Sequence, residues 1–410
     1  MIRKITFSLL FLFILSVAVV AVKSPGGVSG FWLMLSTVAG LNQVETSSDV
    51  AQSNLYLPEG FTAEVFADGL DVPRVMVVTQ TEDIIVSLVD NGEVLLLRDL
   101  DNDGQAESQT ILLQGLANPQ GLAFDGDWLY VAERHRVIRI RYDHDNAVTI
   151  GEAETVIDDL PFGHPHRSHN AKTIGISAER KLYITVGSPC NVCIPDDPRY
   201  SAILRADLDG ANVEIYASGL RNSVGFDWAP WSGELYATDN GRDMLGDDFP
   251  PDELNLIVKE GFYGWPYLHG DNVPDPEFGA EFGESAFLDE NPEILASARL
   301  PSFKFRAHNA PLGIHFIKAT TDLPADYSRA ALVALHGSWN RSELDGYKIL
   351  SLHWKLDGSI ESRDFMTGFL GDKGIIGRPV SIVENSAGQF YITDDLGGRI
   401  YRVTYTKPNE

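Results

Sequence analysis

A short unit of strand-like segments recurs along this chain, and this recurrence limits the available folds more than any other feature. Each unit follows a turn with alternating aliphatic or aromatic residues, as in "DWLYVAERHRVIRIRYD" and "GQFYITDDLGGRIYRVTY". Such alternation between turns is typical of β-strands, and no long amphipathic helical pattern competes with it. The units begin near Asp83, Asp127, Arg180, Gly233, Ala330 and Gly388.

The spacing of these units predicts a β-propeller. Successive units lie roughly 45–55 residues apart, except for one double-length gap after Gly233. About four short strands fit into that length, which is the size of one propeller blade. About six blades fill the body, with an insertion near residues 265–300. We therefore predict an all-β fold, a six-bladed β-propeller, with an irregular sandwich or barrel as the alternative.

The N-terminal 41 residues predict export. Two basic residues precede an uncharged run over residues 5–22, which is long for a cleaved signal peptide and just long enough to span a membrane. We expect residues 1–41 to be a signal peptide or an uncleaved anchor, residues 42–54 a polar linker, and residues 55–410 the propeller. The body is then periplasmic, and only the N-terminal segment contacts the membrane.

The net charge argues against one class of partner. A formal charge of -26 repels phosphate backbones, so we expect no nucleic-acid binding. The charge says little about neutral ligands such as sugars. An anionic ligand would need a local cluster of cations.

Three cations and one amide occupy suitable positions for such a cluster. Arg221 and Asn222 begin the strand in "LRNSVGFDW", Lys318 ends "APLGIHFIK", and Arg378 precedes a strand in "GIIGRPVSIV". Loops between propeller blades converge at one end of the central channel, so residues far apart in sequence can meet there. Each cation alone is an ordinary surface charge, but together they could form an anion site.

The two cysteines, Cys190 and Cys193, lie in "GSPCNVC". A local disulfide is the simplest interpretation in an oxidising compartment. Ile194 follows in place of histidine, which excludes a c-type haem attachment, and two thiols alone make a poor zinc site.

Several acidic stretches are candidate cation sites. Asp99, Asp101 and Asp103 alternate before Gly104, as in the first half of a calcium loop, although Thr110 stands where an EF-hand needs glutamate. A solvated turn explains this stretch equally well. Residues 237–271 combine many carboxylates with aromatics and glycines, which suits either a pocket wall or a packed corner.

The stretch "HPHRSH" places His164, His166 and His169 within six residues. Taken alone, this spacing suggests a metal site with three histidine ligands. The blade pattern narrows the candidates to His169, which lies just before the predicted strand "TIGI". His164 and His166 lie farther out, beside a proline, and are expected at the rim.

These segments resemble a known family, the soluble PQQ-dependent sugar dehydrogenases, in particular the glucose/sorbosone dehydrogenase type. The matching stretches include "RNSVGF", "DELNLI" followed by "YGWP", "APLGIHFIK", "HGSWNR" and "GRPVSIV", and they run in family order over most of the body. The resemblance implies a six-bladed propeller that oxidises an aldose or polyol and reduces PQQ with the help of Ca²⁺. It also implies a separate electron acceptor, a cytochrome or a quinone.

The resemblance assigns roles position by position. His169 matches the general base that removes the hydroxyl proton. Four positions match residues that contact the quinone: Arg221, Asn222, Lys318 and Arg378. Five positions match calcium ligands. Gly241 and Arg242 would offer backbone carbonyls to the active-site ion, and a structural ion would be held by Glu253, Tyr263 and Asp271.

The sequence departs from the glucose-oxidising branch at three positions. Ser168 and Ser188 replace acidic residues near the base, and Ile376 replaces a cofactor-contacting arginine. These departures weaken the case for glucose as the substrate. They also motivate a second hypothesis, a binding propeller that has lost the quinone. A third hypothesis, a metal-dependent lactonase or hydrolase, is supported only by the acidic stretch "DNGRDMLGDD".

Overall fold

A computed structural model describes residues 27–163, 169–278, 287–318 and 323–408. The described chain folds into six sheets of four or five strands that stand around a channel, with two small two-stranded hairpins beside them. The prediction of a six-bladed β-propeller is confirmed. The hydrophobic core is divided into layers that lie between neighbouring blades, such as the cluster shared by blades one and two.

The strands of the first three blades follow one another along the chain. The first strand, β1, is Phe61–Ala67. Blade one contains β2 (Pro73–Val78), β3 (Ile84–Leu88), β4 (Glu93–Arg98) and β5 (Ser108–Leu113). Blade two contains β6 (Leu122–Asp125), β7 (Trp128–Ala132), β8 (Val137–Asp143) and β9 (Val148–Ile157). Blade three contains β10 (Ile174–Ile176), β11 (Lys181–Val186), β12 (Ala202–Asp207) and β13 (Glu214–Ser218).

The other three blades carry the insertion and the hairpins. Blade four contains β14 (Phe226–Trp228), β15 (Leu235–Asp239), β16 (Glu253–Ile257) and, after the insertion, β20 (Phe303–Lys304). The insertion holds β17 (Gly261–Phe262), β18 (Leu268–His269), β19 (Val273–Pro274), α3 (Phe287–Glu290) and α4 (Pro292–Ser297). Blade five contains β21 (Pro311–Phe316), a 3₁₀ helix (Ala325–Arg329), β22 (Ala330–Leu335), β23 (Lys348–Trp354) and β24 (Ile360–Met366). Blade six follows the hairpin β25 (Leu370–Gly371) and β26 (Gly374–Ile375), and contains β27 (Pro379–Glu384), β28 (Phe390–Asp394) and β29 (Arg399–Tyr405).

The two ends of the body close the ring. Strand β1 pairs with β29, and Phe61 lies opposite Tyr405, so the first strand of the body is the outermost strand of the last blade. The Phe61 ring also packs against Phe365 and Tyr327 of blade five. This pairing completes the four-stranded sheet of blade six and joins the start of the body to its end.

The inner strands β2, β6, β10, β14, β21 and β27 surround a cavity of about 310 Å³ and run in the same direction. Near the start of its strand, Gly225 packs against the backbone of Gly313. At the other end, Asp227 accepts the Phe316 N–H at 2.8 Å, and His315 lies 3.0 Å from Glu384. Residues that precede an inner strand therefore gather at one end of the channel, which we call the mouth. Residues that follow an inner strand lie at the far end.

In three blades, a threonine in the second strand accepts a hydrogen bond from a backbone N–H at or just before the inner strand. The hydroxyls of Thr185, Thr238 and Thr393 accept from the N–H groups of blades three, four and six at 3.0, 3.1 and 2.9 Å. A buried N–H without a partner is costly, so this contact supports the inner strand where its ladder is irregular. It explains why the recurring sequence units read "YITV", "YATD" and "YITD".

The segment before the propeller differs from the expected linker. Residues 42–54 contain α2 (Ser48–Ser53), and Gln52 accepts the Val65 N–H of β1 at 3.1 Å. The Val44 N–H also donates to Ile375 at 2.8 Å. Polar composition suggested a linker, but these residues bond to the edge of blade six and to its preceding hairpin.

The expected anchor segment, residues 1–41, is described only from Gly27 onward. It contains α1 (Gly27–Val38), which buries Phe31 and exposes Trp32 and Val38. In the described part of the chain, no helix is long and apolar enough to cross a membrane. The run over residues 5–22 lies outside the described residues.

Candidate functional site

The mouth brings together most of the predicted site residues. His169 precedes β10, Arg221 and Asn222 precede β14, and Arg378 precedes β27. A chain of backbone contacts joins blades three and four: the Ser188 N–H donates to Arg221 at 2.7 Å, and the His169 N–H donates to Ser188 at 3.0 Å. Arg378 lies on blade six at the same end of the channel. His164, His166 and Ser168 lie outside the described residues.

His169 is held in the tautomer of a base. Its Nδ1 lies 3.0 Å from the Ser188 carbonyl oxygen and 2.8 Å from the Ser188 hydroxyl, which itself donates to Cys190. A carbonyl oxygen only accepts, so Nδ1 carries the proton and Nε2 keeps its lone pair. Burial, reinforced by the Arg221 charge, lowers the pKa of His169 to about 3. The imidazole is therefore neutral near pH 7, and Ser188 orients it where the glucose-oxidising branch uses an acidic residue.

Arg221 is fully occupied by protein partners. Its Nε donates to the Asn191 carbonyl at 3.0 Å, and its Nη1 donates to the carbonyls of Asn240 and Gly241 at 3.2 and 2.7 Å. Its Nη2 donates to the Asn191 side chain at 2.8 Å and to Asp243 at 3.0 Å. A guanidinium has five N–H donors, and these contacts use all of them. Arg221 was predicted to contact the quinone. Here its guanidinium binds the loops that carry Asn191 and residues 240–243.

One of the two carbonyls predicted to bind the active-site calcium ion is engaged in another contact. The Gly241 carbonyl accepts from Arg221, and the Arg242 side chain pairs with Asp275 and Glu277 at 2.6 and 2.9 Å. A calcium ion at the Gly241 carbonyl would face a guanidinium within hydrogen-bond distance, and like charges repel strongly in a buried site. The Gly241 carbonyl therefore does not fit a calcium ion in this arrangement. The Arg242 contacts are made by its side chain, so its backbone carbonyl stays a predicted ligand.

The three residues predicted to hold a structural calcium ion also have protein partners. Glu253 accepts from the Gly270 N–H and from Asn255, at 2.8 and 3.0 Å. Tyr263 donates its hydroxyl to a β16 carbonyl at 2.6 Å, and Asp271 pairs with Lys304 at 2.5 Å. Burial raises the pKa of Glu253 to about 7.

Lys318 lies at the wrong end of the channel for the predicted role. It follows β21, whereas the other candidates precede their strands, and its N–H donates to Glu384 at 2.9 Å. It lines the channel cavity beside His315. The prediction that Lys318 joins Arg221 and Arg378 in one anion site is wrong, because the length of β21 separates the two ends.

Arg378 is the cation best placed to bind an anion. Its guanidinium donates to the backbone carbonyls of His336 and Gly337, at 3.2 and 3.4 Å. Within the described residues, no carboxylate lies within ion-pair distance of it. The nearby Asp395 is already paired with Arg74 at 2.6 Å and with His336 at 2.9 Å. Arg378 is only half-buried, and among the described residues its charge has no carboxylate partner.

Two buried aspartates that sequence reasoning missed organise the mouth. Asp239, the last residue of β15, accepts from the backbone N–H groups of Arg221 and Asn222 at 3.0 and 2.7 Å. Asp394, the last residue of β28, accepts the Arg378 N–H at 2.8 Å. Burial raises the pKa of Asp239 to about 8 and that of Asp394 to about 6. The repeated "ATD" and "ITD" at the strand ends was the signal that could have revealed them.

The other two sequence candidates lie at different places. Cys190 and Cys193 form a disulfide next to Ser188. Oxygen atoms of Asp99, Asp101 and Asp103 lie within 4.8 Å of one another and of Glu107, on the loop after β4. A calcium loop at this cluster stays a prediction.

Gly187 leaves the space that His169 and Asn222 share. A β-carbon at this position would lie 2.5 Å from the His169 Cβ and 2.7 Å from the Asn222 Oδ1. We expect Gly187→Ala to displace His169 and to reduce its function as a base, with little change in global stability. NMR of the imidazole of His169 in wild type and variant measures this. An unchanged imidazole environment would contradict the expectation.

Comparison with known proteins agrees with the fold and with the motifs. The TrAA12-like family matches residues 55–406. An uncharacterized protein of Borreliella burgdorferi is 30% identical over 92% of this chain and 98% of its own length. A pyrroloquinoline quinone-dependent sugar dehydrogenase of Hypocrea jecorina is 24% identical over 84% of this chain and 87% of its own length.

The solved structures support the same assignment of the fold. A Trichoderma reesei structure of Carbohydrate-Active Enzymes Family AA12 superposes with a TM-score of 0.72, at 21% identity, over 86% of this chain and 98% of that one. The resemblance to PQQ-dependent sugar dehydrogenases is confirmed at the level of the family. The chain belongs to the TrAA12-like family.

Proposed function

We propose that this protein is an oxidoreductase that oxidises a hydroxyl group of a sugar or of a sugar-derived alcohol, with PQQ as the hydride acceptor. The quinone-dependent relative supports this proposal, as does the mouth geometry. The serine at position 188 and the isoleucine at position 376 weaken the case for glucose as the substrate.

The contact between the His169 Nδ1 and Ser188 is the observation that carries the proposal. The Nδ1–H of this imidazole is fixed by Ser188, so Nε2 is the atom that can accept a proton from a substrate hydroxyl. A base in alcohol oxidation must be unprotonated before the reaction, and a pKa of about 3 ensures this near pH 7. The hydroxyl proton would move to Nε2, and the carbon that bears this hydroxyl would give up a hydride to the quinone.

The residues of the mouth fit the anionic quinone in part. Bound PQQ would supply the electron sink that no side chain can provide. Arg378 would hold one of its carboxylates, because this guanidinium has no counterion among the described residues. Asn222 offers an amide beside the space above Gly187. Arg221 contributes by its charge and by fixing the loop that carries Asp243.

The proposed reaction includes no step that depends on a calcium ion. The Gly241 carbonyl is bound by Arg221, so an ion there requires this guanidinium to move. The proposed chemistry at His169 does not depend on that movement. The requirement for Ca²⁺ is therefore measured, as a separate arm of the experiment below.

The proposed location is outside the cytoplasm. The basic residues and the uncharged run near the N-terminus support export, and the disulfide is compatible with an oxidising compartment. We propose an anchor at the inner membrane over residues 5–22. An acceptor outside this chain, a cytochrome or a quinone, would reoxidise the cofactor.

The proposal is tested with the full chain purified in detergent. PQQ is titrated by fluorescence with and without Ca²⁺, and dye reduction is then assayed across aldoses, polyols and sugar aldehydes. We expect saturable quinone binding and dye reduction with at least one substrate class. A folded sample that neither binds PQQ nor reduces dye would refute the proposal.

The saturated guanidinium of Arg221 favours a second candidate, a ligand-binding propeller without the quinone. All five of its N–H donors are used within the protein. In that case calorimetry would detect binding of a sugar while PQQ fails to bind. Quinone binding with turnover would exclude this candidate.

A further inference from the structure

The disulfide loop contacts both of the side chains that dominate the mouth. On one side, Ser188 orients the His169 imidazole, and its hydroxyl donates to the Cys190 carbonyl at 2.6 Å. On the other side, Asn191 lies between the two cysteines and binds Arg221. One short loop therefore supports the base and its neighbouring cation.

Asn191 is the central member of this contact network. Its carbonyl and its Oδ1 both accept from Arg221, at 3.0 and 2.8 Å. The same Oδ1 accepts the Asp243 N–H at 2.8 Å, and its Nδ2 donates to the Asp243 carbonyl at 3.1 Å. Both atoms of the amide are used, so Asn191 locks Arg221 and the loop after β15 in one arrangement.

The disulfide is placed to act locally. Cys190 and Cys193 are separated by three positions, and chain-entropy stabilisation by a disulfide grows with the length of the loop that it closes. A loop this short contributes little to global stability by that route. Its main effect is to limit the conformations of the two residues between the cysteines, one of which is Asn191.

We propose that the Cys190–Cys193 disulfide and Asn191 are positioning elements for the reaction. They hold Arg221 under the mouth, and through Ser188 they hold His169 with Nε2 free to act as the base. This inference rests on the proposed function for its kinetic consequence. Its structural consequence, the environment of the His169 imidazole, is independent of that function.

The proposal predicts the direction in which His169 titrates. Burial, Arg221 and Lys172 lower its pKa, and only the Ser188 contact raises it. Relaxing the loop admits water and moves Arg221 away from the imidazole. Burial and the Arg221 charge then lower the pKa of His169 less than they do in wild type. The pKa of His169 therefore rises toward its ordinary value, and the acid limb of kcat moves up with it.

The test compares Cys190→Ser/Cys193→Ser with Asn191→Ala, which keeps the disulfide. Ile194→Ala is the matched control, because this exposed side chain follows the loop without closing it. We expect both loop variants to fold, to lose at least tenfold in kcat, and to shift the acid limb upward by more than one pH unit. The Ile194→Ala control is expected to match wild type in folding, in kcat and in the position of the acid limb.

An NMR titration of His169 without cofactor separates the two proposals. If wild type shows no turnover, the proposed function fails, while a raised pKa of His169 in the loop variants still supports the positioning role. If the loop variants keep the wild-type imidazole pKa, the positioning role is overturned, whatever the enzyme does. If the cysteine variant does not fold, Asn191→Ala decides the question alone.

Discussion

Replacing His169 by alanine is expected to lower kcat by roughly 10²–10⁴-fold, the usual contribution of a general base. Quinone affinity is expected to remain close to that of wild type, because the side chain bonds to Ser188 and to no other described residue. The measurement is dye reduction under saturating PQQ, together with a fluorescence titration of the cofactor. Unchanged turnover would remove His169 from the mechanism.

Ser188→Ala provides a graded comparison. It removes the hydroxyl at 2.8 Å from Nδ1 but keeps the carbonyl at 3.0 Å, so the tautomer is preserved and the loss in kcat should be smaller than in His169→Ala.

The pH profile of wild-type kcat provides a second test of His169 as the base. Since the pKa of His169 is lowered to about 3, the imidazole stays unprotonated at neutral and mildly acidic pH and is available there as a base. We expect the acid limb of the wild-type profile well below the ordinary histidine value near 6.5.

Much of this arrangement follows from sequence patterns. The recurring strands specify the blades, and the loops that precede inner strands specify the mouth, so His169, Asn222 and Arg378 were placed correctly at one end. The pattern cannot report how far a side chain lies along the channel axis. Lys318 shows the consequence: six residues of strand extend roughly 20 Å, which is enough to move a cation from one end to the other.

The partners of Arg221 illustrate a second limit of the sequence. Its five hydrogen bonds go to residues 30 positions before it and about 20 positions after it, and most of the acceptors are backbone carbonyls. Backbone acceptors leave no trace in residue identity, because any residue supplies a carbonyl. The sequence therefore identified Arg221 as a candidate cation. It did not reveal that acceptors within the protein use all of the hydrogen-bond donors of its guanidinium.

A similar reason explains why Gly241 was misleading as a predicted calcium ligand. Calcium sites can use backbone carbonyls, and the Gly241 carbonyl is available to any donor that folds next to it. In this fold the donor is Arg221, at 2.7 Å. The carboxylates below the mouth, Asp239 and Asp252, are likewise committed to backbone N–H groups. These two buried carboxylates therefore stabilise the backbone of the mouth.

Replacing Arg378 by methionine is expected to weaken quinone binding by roughly tenfold to hundredfold. A hydrogen bond to a charged group contributes about 1.5–3 kcal/mol, which converts to that range of affinity. Methionine keeps the length of the apolar stem and leaves the Arg378 N–H on Asp394, so the start of β27 should not change. The measurement is a fluorescence titration of PQQ, with thermal unfolding as a check on the fold.

Lys318→Met is the matched control for this prediction, because it removes one positive charge from the far end of the same channel. Long-range attraction between exposed charges is largely screened at physiological salt, so a cation that does not touch the quinone should contribute little to its affinity. We expect Lys318→Met to bind PQQ like wild type. If Lys318→Met weakens binding and Arg378→Met does not, the anion site lies at the far end. His169 would then be separated from the cofactor by the length of the channel, and it could not act as the base.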